Sequence, residues 1–434
     1  MTLVSDPADA RVVIVNTCGF IGEAREESVD TILEYVEHKR AGTIEGLVVT
    51  GCLVQLHEQE LAKEIPEVDA FLGLSDYSGV PSIVNQVLGL EAGAACQGGT
   101  GEATARNHGL SGGGSKGGDA DLGRALLTPR HTAYLRLGEG CNHVCAFCAI
   151  PKIRGKLQSK PMEVLVEEAA ALAQLGTREI SLVAEDSTDY GKDLARGYGL
   201  PELLRELGAI EGLDWIRVLY AHPATMDAKL ATAMAETKSV LPYLDMPVQH
   251  GDADVLRRMR RGTSPERIRE VVGWLRDAIP DLTLRTTILV GFPGETDQAF
   301  QNLMQLLEDC DFDRVGCFAF SPEEGTEGGT LSDRVDEALA EERRHIVMRW
   351  ARERLQAANQ ARIGGVERVL VDSVEPLAGI GGLLAVARSR RDAPEIDGQV
   401  LVHASAESAM EAGQFADVKI TGVKGYDVTA KEVV

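Results

Sequence analysis

The stretch EGCNHVCAFCAIP, residues 139–151, decides how the rest of this 434-residue chain is read. Its cysteines are spaced Cys141-x3-Cys145-x2-Cys148, three thiols in one tight loop. A cubane 4Fe-4S cluster has four iron corners, so three thiolates leave one corner free for a ligand that is not protein. Such an open iron marks a catalytic cluster rather than an electron wire. A structural zinc site is the bland alternative, and it asks for a fourth nearby Cys or His. His143 is the only local candidate. Phe147 and the apolar residues around Cys148 suit a cluster shielded from water, which favours the iron reading over zinc or buried thiols.

Working outward, HTAYLRL (131–137) leads directly into the loop and reads as a strand. EISLVAED (179–186), WIRVLYAH (215–222), PYLDMPVQH (242–250), TLRTTILVG (283–291) and DRVGCFAF (313–320) repeat that pattern. Between them 161–176, 264–279 and 297–310 carry apolar residues at helical spacing. This alternation predicts an α/β fold, a full or partial (β/α) barrel with functional residues at the strand C-termini. Cys310 and Cys317 flank a helix-to-strand joint and read as core thiols.

Upstream, RVVIVN (11–16) and GLVVT (46–50) are β-branched runs separated by the amphipathic stretch 23–41, so a parallel βαβ unit is expected. Cys18 and Cys52 would then lie just beyond adjacent strands, on the sheet edge where α/β folds place ligands. Two unrelated small core residues are the alternative. From 93 to 125 the chain turns rich in Gly and small polar residues, the composition of a flexible linker, and Cys96 within it has the weakest claim to be a ligand. After the charged helical stretch 337–364, five short Gly-broken strands between 366 and 433 suggest a small β-barrel of the oligonucleotide-binding type. The expected divisions are an N-terminal unit at 1–92, the linker at 93–125, the barrel at 126–361 and the small β-barrel at 362–434.

There is no run of eighteen apolar residues and no basic, apolar leader, so neither a membrane span nor a signal peptide is expected. Eight clustered rather than scaffold-forming Cys fit a reducing cytoplasm. A net charge of −23 argues against broad attraction to nucleic acid and favours a basic partner, unless the acidity merely keeps the chain soluble.

NTCGFIGEAREESVDTI (16–32), TGCL (50–53), the Cys loop with IPKIRGKLQSKP (150–161), LVAEDSTDYGKDL (182–194), YLDMPVQHG (243–251), LRTTILVGFPGE (284–295), SPEEGT (321–326) and RRDAPEIDGQV (390–400) together resemble the methylthiotransferases of the radical S-adenosylmethionine (SAM) superfamily. The resemblance implies an N-terminal domain holding a second 4Fe-4S cluster, a central radical SAM barrel and a C-terminal TRAM domain. In finer detail the chain is similar to the branch that adds a methylthio group to the β-carbon of an aspartate in ribosomal protein uS12, rather than to the branch that modifies adenosine in tRNA. The segment from Val366 to Val434 has 7 Lys and Arg against 11 Asp and Glu, a poor surface for a phosphate backbone, so no strong nucleic-acid binding is expected.

An unactivated C–H bond needs a radical, which the cofactor must supply. The resemblance implies that Cys141, Cys145 and Cys148 hold the cluster that passes an electron into SAM, releasing a 5'-deoxyadenosyl radical. It also implies that a second cluster at Cys18 and Cys52 carries or delivers sulfur, that another SAM supplies the methyl group, and that an electron donor and a sulfur donor are required. Glu185 and Asp186, and Gly291 to Glu295 in GFPGE, are placed to contact SAM, against the alternative of solvated loop acids and a turn. Family members commonly carry Gln at the position of Glu185. For His222 and His250 packing or hydrogen bonding is favoured over ligation. The family's first N-terminal cysteine would precede TLVSDPADA and has no counterpart here. Either the natural chain starts upstream and carries it, the favoured reading, or the second cluster is incomplete and SAM is cleaved without efficient sulfur insertion.

Overall fold

A computed structural model describes residues 4, 6–74, 79–90, 124, 126–377 and 381–433. Cys96 and almost all of the expected linker lie outside the described residues. No helix among the described residues is long and apolar enough to cross a membrane.

The N-terminal unit is a three-stranded parallel sheet in the order β1 (Val12–Thr17), β2 (Gly46–Gly51) and β3 (Ala70–Leu72). Helices Gly22–Arg40 and Cys52–Glu64 cover it, burying Ile32, Val36, Leu53 and Val54 against Val15, Leu47 and Val49. β2 is buried along its whole length, which is why GLVVT reads as an unbroken apolar run rather than an alternating one. The expected βαβ unit is therefore present; β3, only three residues long, has no period to announce it.

The central sheet has six parallel strands: β4 (Thr132–Arg136), β7 (Glu179–Val183), β8 (Trp215–Val218), β9 (Val240–Asp245), β10 (Thr283–Val290) and β11 (Arg314–Ala319). A two-stranded ribbon, β5 (Gly138–Glu139) with β6 (Gln158–Ser159), frames the Cys loop. The six strands follow one another in chain order and do not close, so the barrel is partial. Ile180, Leu182, Ile216, Val218, Leu244 and Leu284 face the helices and join one large core with Leu165, Leu203, Val271 and Leu306. Along the same strands Glu179, Ser181, Arg217, Tyr243 and Asp245 alternate to the other, concave side.

Helix Glu337–Ala361 leads to the C-terminal domain, a closed barrel in the order β12 (Val366–Pro376), β13 (Leu383–Ser389), β14 (Val400–Ala404), β16 (Asp427–Glu432) and β15 (Phe415–Lys424). Its core is Val369, Val371, Ala385, Ala387, Val400, Val402, Val418, Ile420 and Val428. This small barrel packs on the concave side of the central sheet, where Leu370 and Ala393 join Trp215, Leu219, Leu241 and Tyr243.

Candidate active site between two cysteine-bearing segments

The β1–β2 register pairs Thr17 with Gly51, so the next residues, Cys18 and Cys52, emerge side by side from adjacent parallel strands. Thr17 Oγ1 donates to the Thr50 carbonyl at 2.7 Å, tying the two strand ends together. Gly51 has φ +111°, and a Cβ there would stand 2.3 Å from the Thr17 carbonyl oxygen. Only glycine permits that approach. Cys18 is exposed and its N–H donates to Ser28 Oγ at 3.0 Å. Cys52 opens its helix and is partly exposed.

The second cysteine group is fixed by backbone hydrogen bonds. Cys141 N donates to Gly155 O at 3.1 Å, Cys148 N to Cys145 O at 3.1 Å, and Ala146 N to Met259 O at 2.9 Å. Gly140, just before Cys141, has φ +75°, and a Cβ would lie 2.4 Å from Lys156 O and 2.7 Å from Gly155 O. Gly155 shares the same φ of +75° but faces open space. Gly155→Ala is therefore expected to cost about 1 kcal/mol of backbone strain and leave the loop intact. Gly140→Ala must push the loop off its two carbonyls, and most of the iron that the loop takes up on anaerobic reconstitution should be lost. Iron analysis of the two variants side by side checks this, and equal iron contents would refute it.

Cys141, Cys145 and Cys148 line a cavity of about 610 Å³ at the C-terminal ends of the strands. That volume suits a small-molecule site. Burial pushes the Cys141 thiol up to about 12 and the Cys148 thiol up to about 11, with neighbouring acids and thiols adding to the effect. Such thiols are poor nucleophiles alone, but a bound metal centre would deprotonate them. Among the described residues the only three candidate ligand atoms within 4.8 Å of one another belong to His143, Asp186 and His222. The three sulfurs are thus spread more widely than around one tetrahedral zinc, where neighbouring sulfurs sit about 3.8 Å apart. A larger, polynuclear group fits that spread.

His143 is unavailable as a fourth ligand on the side of its Nε2, which lies 2.7 Å from Asp186 Oδ2. Its ring stacks on His222 at 4.1 Å between centroids. Burial works against ionisation of Asp186, yet hydrogen bonds from His143 and Thr188 hold its carboxyl below the usual range. Asp186, expected near SAM, is not among the residues that line the cavity, and its carboxylate is engaged by His143 and Thr188. Burial, with Arg261 and His143 nearby, depresses the basicity of His222, whose Nδ1 accepts the Ala224 N–H at 3.2 Å. Glu185 does line the cavity, and burial raises its carboxyl above the usual range despite Arg154 and Arg136.

Gly291 and Glu295 are placed elsewhere. Glu295 is buried, with Oε1 2.9 Å from Arg343 Nη1 and Oε2 accepting the Gly291 N–H at 2.5 Å. A Cβ on Gly291 would meet Ala340 at 2.4 Å. The GFPGE turn thus fastens β10 to helix Glu337–Ala361 rather than reaching into the cavity. His250 is fully buried, its Nδ1 accepting the Asp252 N–H at 3.0 Å, and Cys310 and Cys317 belong to the large core.

Sequence reasoning missed the cations. Arg136, Arg154 and Arg261 line the cavity with Phe20 of the N-terminal unit, Tyr220 and Gln249. Arg261 Nη1 is 3.5 Å from Cys145 Sγ, and its Nε is buried without a hydrogen-bond partner among the described residues. Arg154 Nη1 donates to Glu139 Oε2 at 2.8 Å, while its Nη2 is 3.8 Å from Cys52 Sγ. Tyr220 and Gln249 hold φ of 60° and 75°, strained values for residues other than glycine and typical of functional positions. The conspicuous run IPKIRGK contains Arg154, but nothing local to it says that the side chain reaches another domain.

Comparison with known proteins agrees with this geometry. The family described as "Radical SAM superfamily" matches residues 135–307, "TRAM domain" matches 363–433, and "Uncharacterized protein family UPF0004" matches 1–73. The ribosomal protein uS12 methylthiotransferase RimO of Anaeromyxobacter sp. (strain K) is 42% identical over 99% of this chain and 87% of its own length. RimO of Symbiobacterium thermophilum is 41% identical over 97% and 83%, and RimO of Geobacter sulfurreducens 39% identical over 98% and 91%. Among solved structures, the radical SAM methyltransferase TsrM from Kitasatospora setae, with cobalamin and a [4Fe-4S] cluster bound, superposes with a TM-score of 0.55 at 13% identity, covering 74% of this chain and 63% of that one. That likeness speaks for the fold alone. With relatives this similar along nearly its whole length, the chain belongs to the RimO family of radical SAM methylthiotransferases.

Proposed function

We propose that this enzyme methylthiolates the β-carbon of an aspartate in ribosomal protein uS12, consuming two SAM and drawing on an electron donor and a sulfur donor of the cytoplasm. The observation that carries the reading is the single cavity walled by both cysteine-bearing segments, with Cys141, Cys145 and Cys148 on one side and Phe20 and the Arg154 bridge to Cys52 on the other. Cys141, Cys145 and Cys148 would hold one 4Fe-4S cluster, and Cys18 and Cys52 belong to the set that would hold a second. When bound, the first supplies the electron that cleaves SAM and the second supplies sulfur.

The protein's own side chains then position carboxylates and exclude water. SAM and the target aspartate both carry carboxylates, and Arg136, Arg154 and Arg261 are the cations in the cavity. Arg261, its Nε without a partner among the described residues and its Nη2 anchored 2.6 Å from Pro247 O, is the best-prepared anion clamp. Phe147, packed with Ala146 and Phe292, keeps the loop dry. Glu185 is the acid left facing the cavity for the SAM ammonium or ribose. The acidic surface suits a basic ribosomal protein, steering the encounter rather than fixing the target.

The test is anaerobic incubation of reconstituted enzyme with SAM, reductant, uS12 or small subunits, and tRNA in separate reactions. One aspartate-containing uS12 peptide should gain about 46 Da, the mass of a methylthio group replacing hydrogen. Unchanged uS12 together with newly methylthiolated tRNA nucleosides would overturn the assignment.

A further inference from the structure

SPEEGT, residues 321–326, forms the loop after β11 and has no part in the chemistry described above. Together with the short helix that follows it, Glu327–Thr330, it touches both cysteine-bearing segments. Toward the Cys loop, Gly328 N donates to Ala146 O at 2.7 Å, and Lys152 Nζ donates to Gly325 O. Toward the N-terminal unit, Glu323 Oε1 accepts the Gly22 N–H at 3.1 Å, and Oε2 lies 2.9 Å from Arg25 Nη2. Helix Gly22–Arg40 begins four residues after Cys18 and has no side-chain cap of its own, so the cap comes from a different domain, 301 residues along the chain. The loop is itself stiffened: Thr326 Oγ1 donates to Glu323 O at 2.7 Å and accepts the Gly329 N–H at 3.1 Å. The Glu323 carboxylate is 5% exposed, so water competes weakly for either contact.

We propose that Glu323 is a positioning residue, the catch of a clasp that holds the Cys18 and Cys52 edge closed over the Cys141, Cys145, Cys148 loop. Its loss lets the N-terminal unit swing away, so that SAM is still cleaved while the methylthio group fails to reach the substrate. This role rests on the proposed function, but its geometric half can be tested without it.

The experiment uses the full chain carrying Glu323→Ala, Glu323→Gln or Arg25→Ala. In the metal-free protein, amide hydrogen exchange over residues 18–28 should rise about tenfold in Glu323→Ala, the effect of losing two charge-assisted contacts, while β7 to β10 stay protected. Glu323→Gln keeps an acceptor for Gly22 and should show a smaller rise, as should Arg25→Ala, which keeps the cap. In the reconstituted enzyme, 5'-deoxyadenosine released per methylthio group formed should rise several-fold in Glu323→Ala, with the rate of SAM cleavage changed less than about twofold. Unchanged exchange over 18–28 would sink the clasp whatever the enzyme does. Equal falls in SAM cleavage and product would leave Glu323 a merely structural residue and also overturn the proposal. Should the unmodified enzyme cleave SAM and leave uS12 untouched, the proposed function fails and the exchange data still decide the clasp.

Discussion

Cys148→Ala lowers SAM cleavage by at least about a thousandfold, well beyond the ~10–100-fold that disturbing an outer-shell partner of a metal costs. The loop offers three sulfurs, and the cysteine fold around them leaves no spare: His143 points its Nε2 at Asp186 and cannot replace one on that side. Cys148 sits beside the cavity, between Phe147 and the short helix Ile150–Ile153, and its thiol makes no packing contact that the large core depends on. Its removal should therefore leave the thermal unfolding midpoint close to that of the parent. Cys317→Ala gives the opposite pattern. That thiol is 5% exposed in the main core, so truncation costs about 1 kcal/mol of stability and leaves SAM cleavage within about twofold. The paired measurements are 5'-deoxyadenosine by chromatography and the unfolding midpoint by circular dichroism. If both variants lose cleavage equally, or Cys148→Ala keeps more than a few per cent of it, the loop is not the radical centre.

The contrast between these cysteines was legible in the sequence because spacing carries it. Cys141, Cys145 and Cys148 are close in the chain and must be close in space, while Cys310 and Cys317 lie on an apolar helix face and an apolar strand. Cys18 and Cys52 could be paired because a βαβ unit makes its two strands neighbours, and the Thr17–Gly51 register realises that. All six central strands and the five of the small barrel follow runs with a readable period. Helices Leu200–Gly208, Ala228–Glu236 and Ala253–Arg258 were missed because each spans fewer than three turns, too short for a period to stand out.

What stayed hidden depends on partners distant in the chain. Glu295 in GFPGE looked like a ligand-facing acid, but Arg343 claims it from 48 residues away. Arg154 lies within the motif IPKIRGK, and its reach to Cys52 spans 102 positions. Arg217 stands in the strand-like run WIRVL, where nothing local marks its partner, and it is fully buried. No local pattern distinguishes a solvated arginine from one whose partner arrives from another domain.

Arg217 belongs to the network from which the second large effect follows: Glu179→Gln destabilises the protein by about 3–5 kcal/mol, the usual result of leaving buried charges unpaired. Glu179 Oε1 accepts from Arg217 Nε at 3.1 Å and Nη2 at 3.0 Å, and Oε2 takes Arg388 Nη1 from the small barrel. Glu179 and Arg217 have no solvent exposure, and Arg388 is almost as buried. Arg388 is shared with Asp372, which His131 also contacts at 2.9 Å. Burial opposes the Asp372 charge, but hydrogen bonds from His131 and Arg388 hold its carboxyl below the ordinary range. An amide at 179 keeps the volume and one acceptor, so packing is not the variable. It removes the negative charge between two guanidinium groups, which then repel each other where water cannot screen them. An exposed pair gives the scale for comparison: Arg257 and Asp254 are 73% and 74% exposed, and Asp254→Ala should shift stability by less than about 0.5 kcal/mol. Because Trp215 packs edge-on against Phe415 across the same interface at 4.9 Å, tryptophan fluorescence in a urea titration reports its loss. The midpoint should fall sharply for Glu179→Gln and stay put for Asp254→Ala. A Glu179→Gln midpoint within about 1 kcal/mol of the parent would mean that the carboxylate is not what holds the small barrel to the concave face, leaving that to the apolar contacts of Leu370, Ala393 and Phe415 and to polar pairs such as His131 with Asp372 and Tyr243 with Asp397.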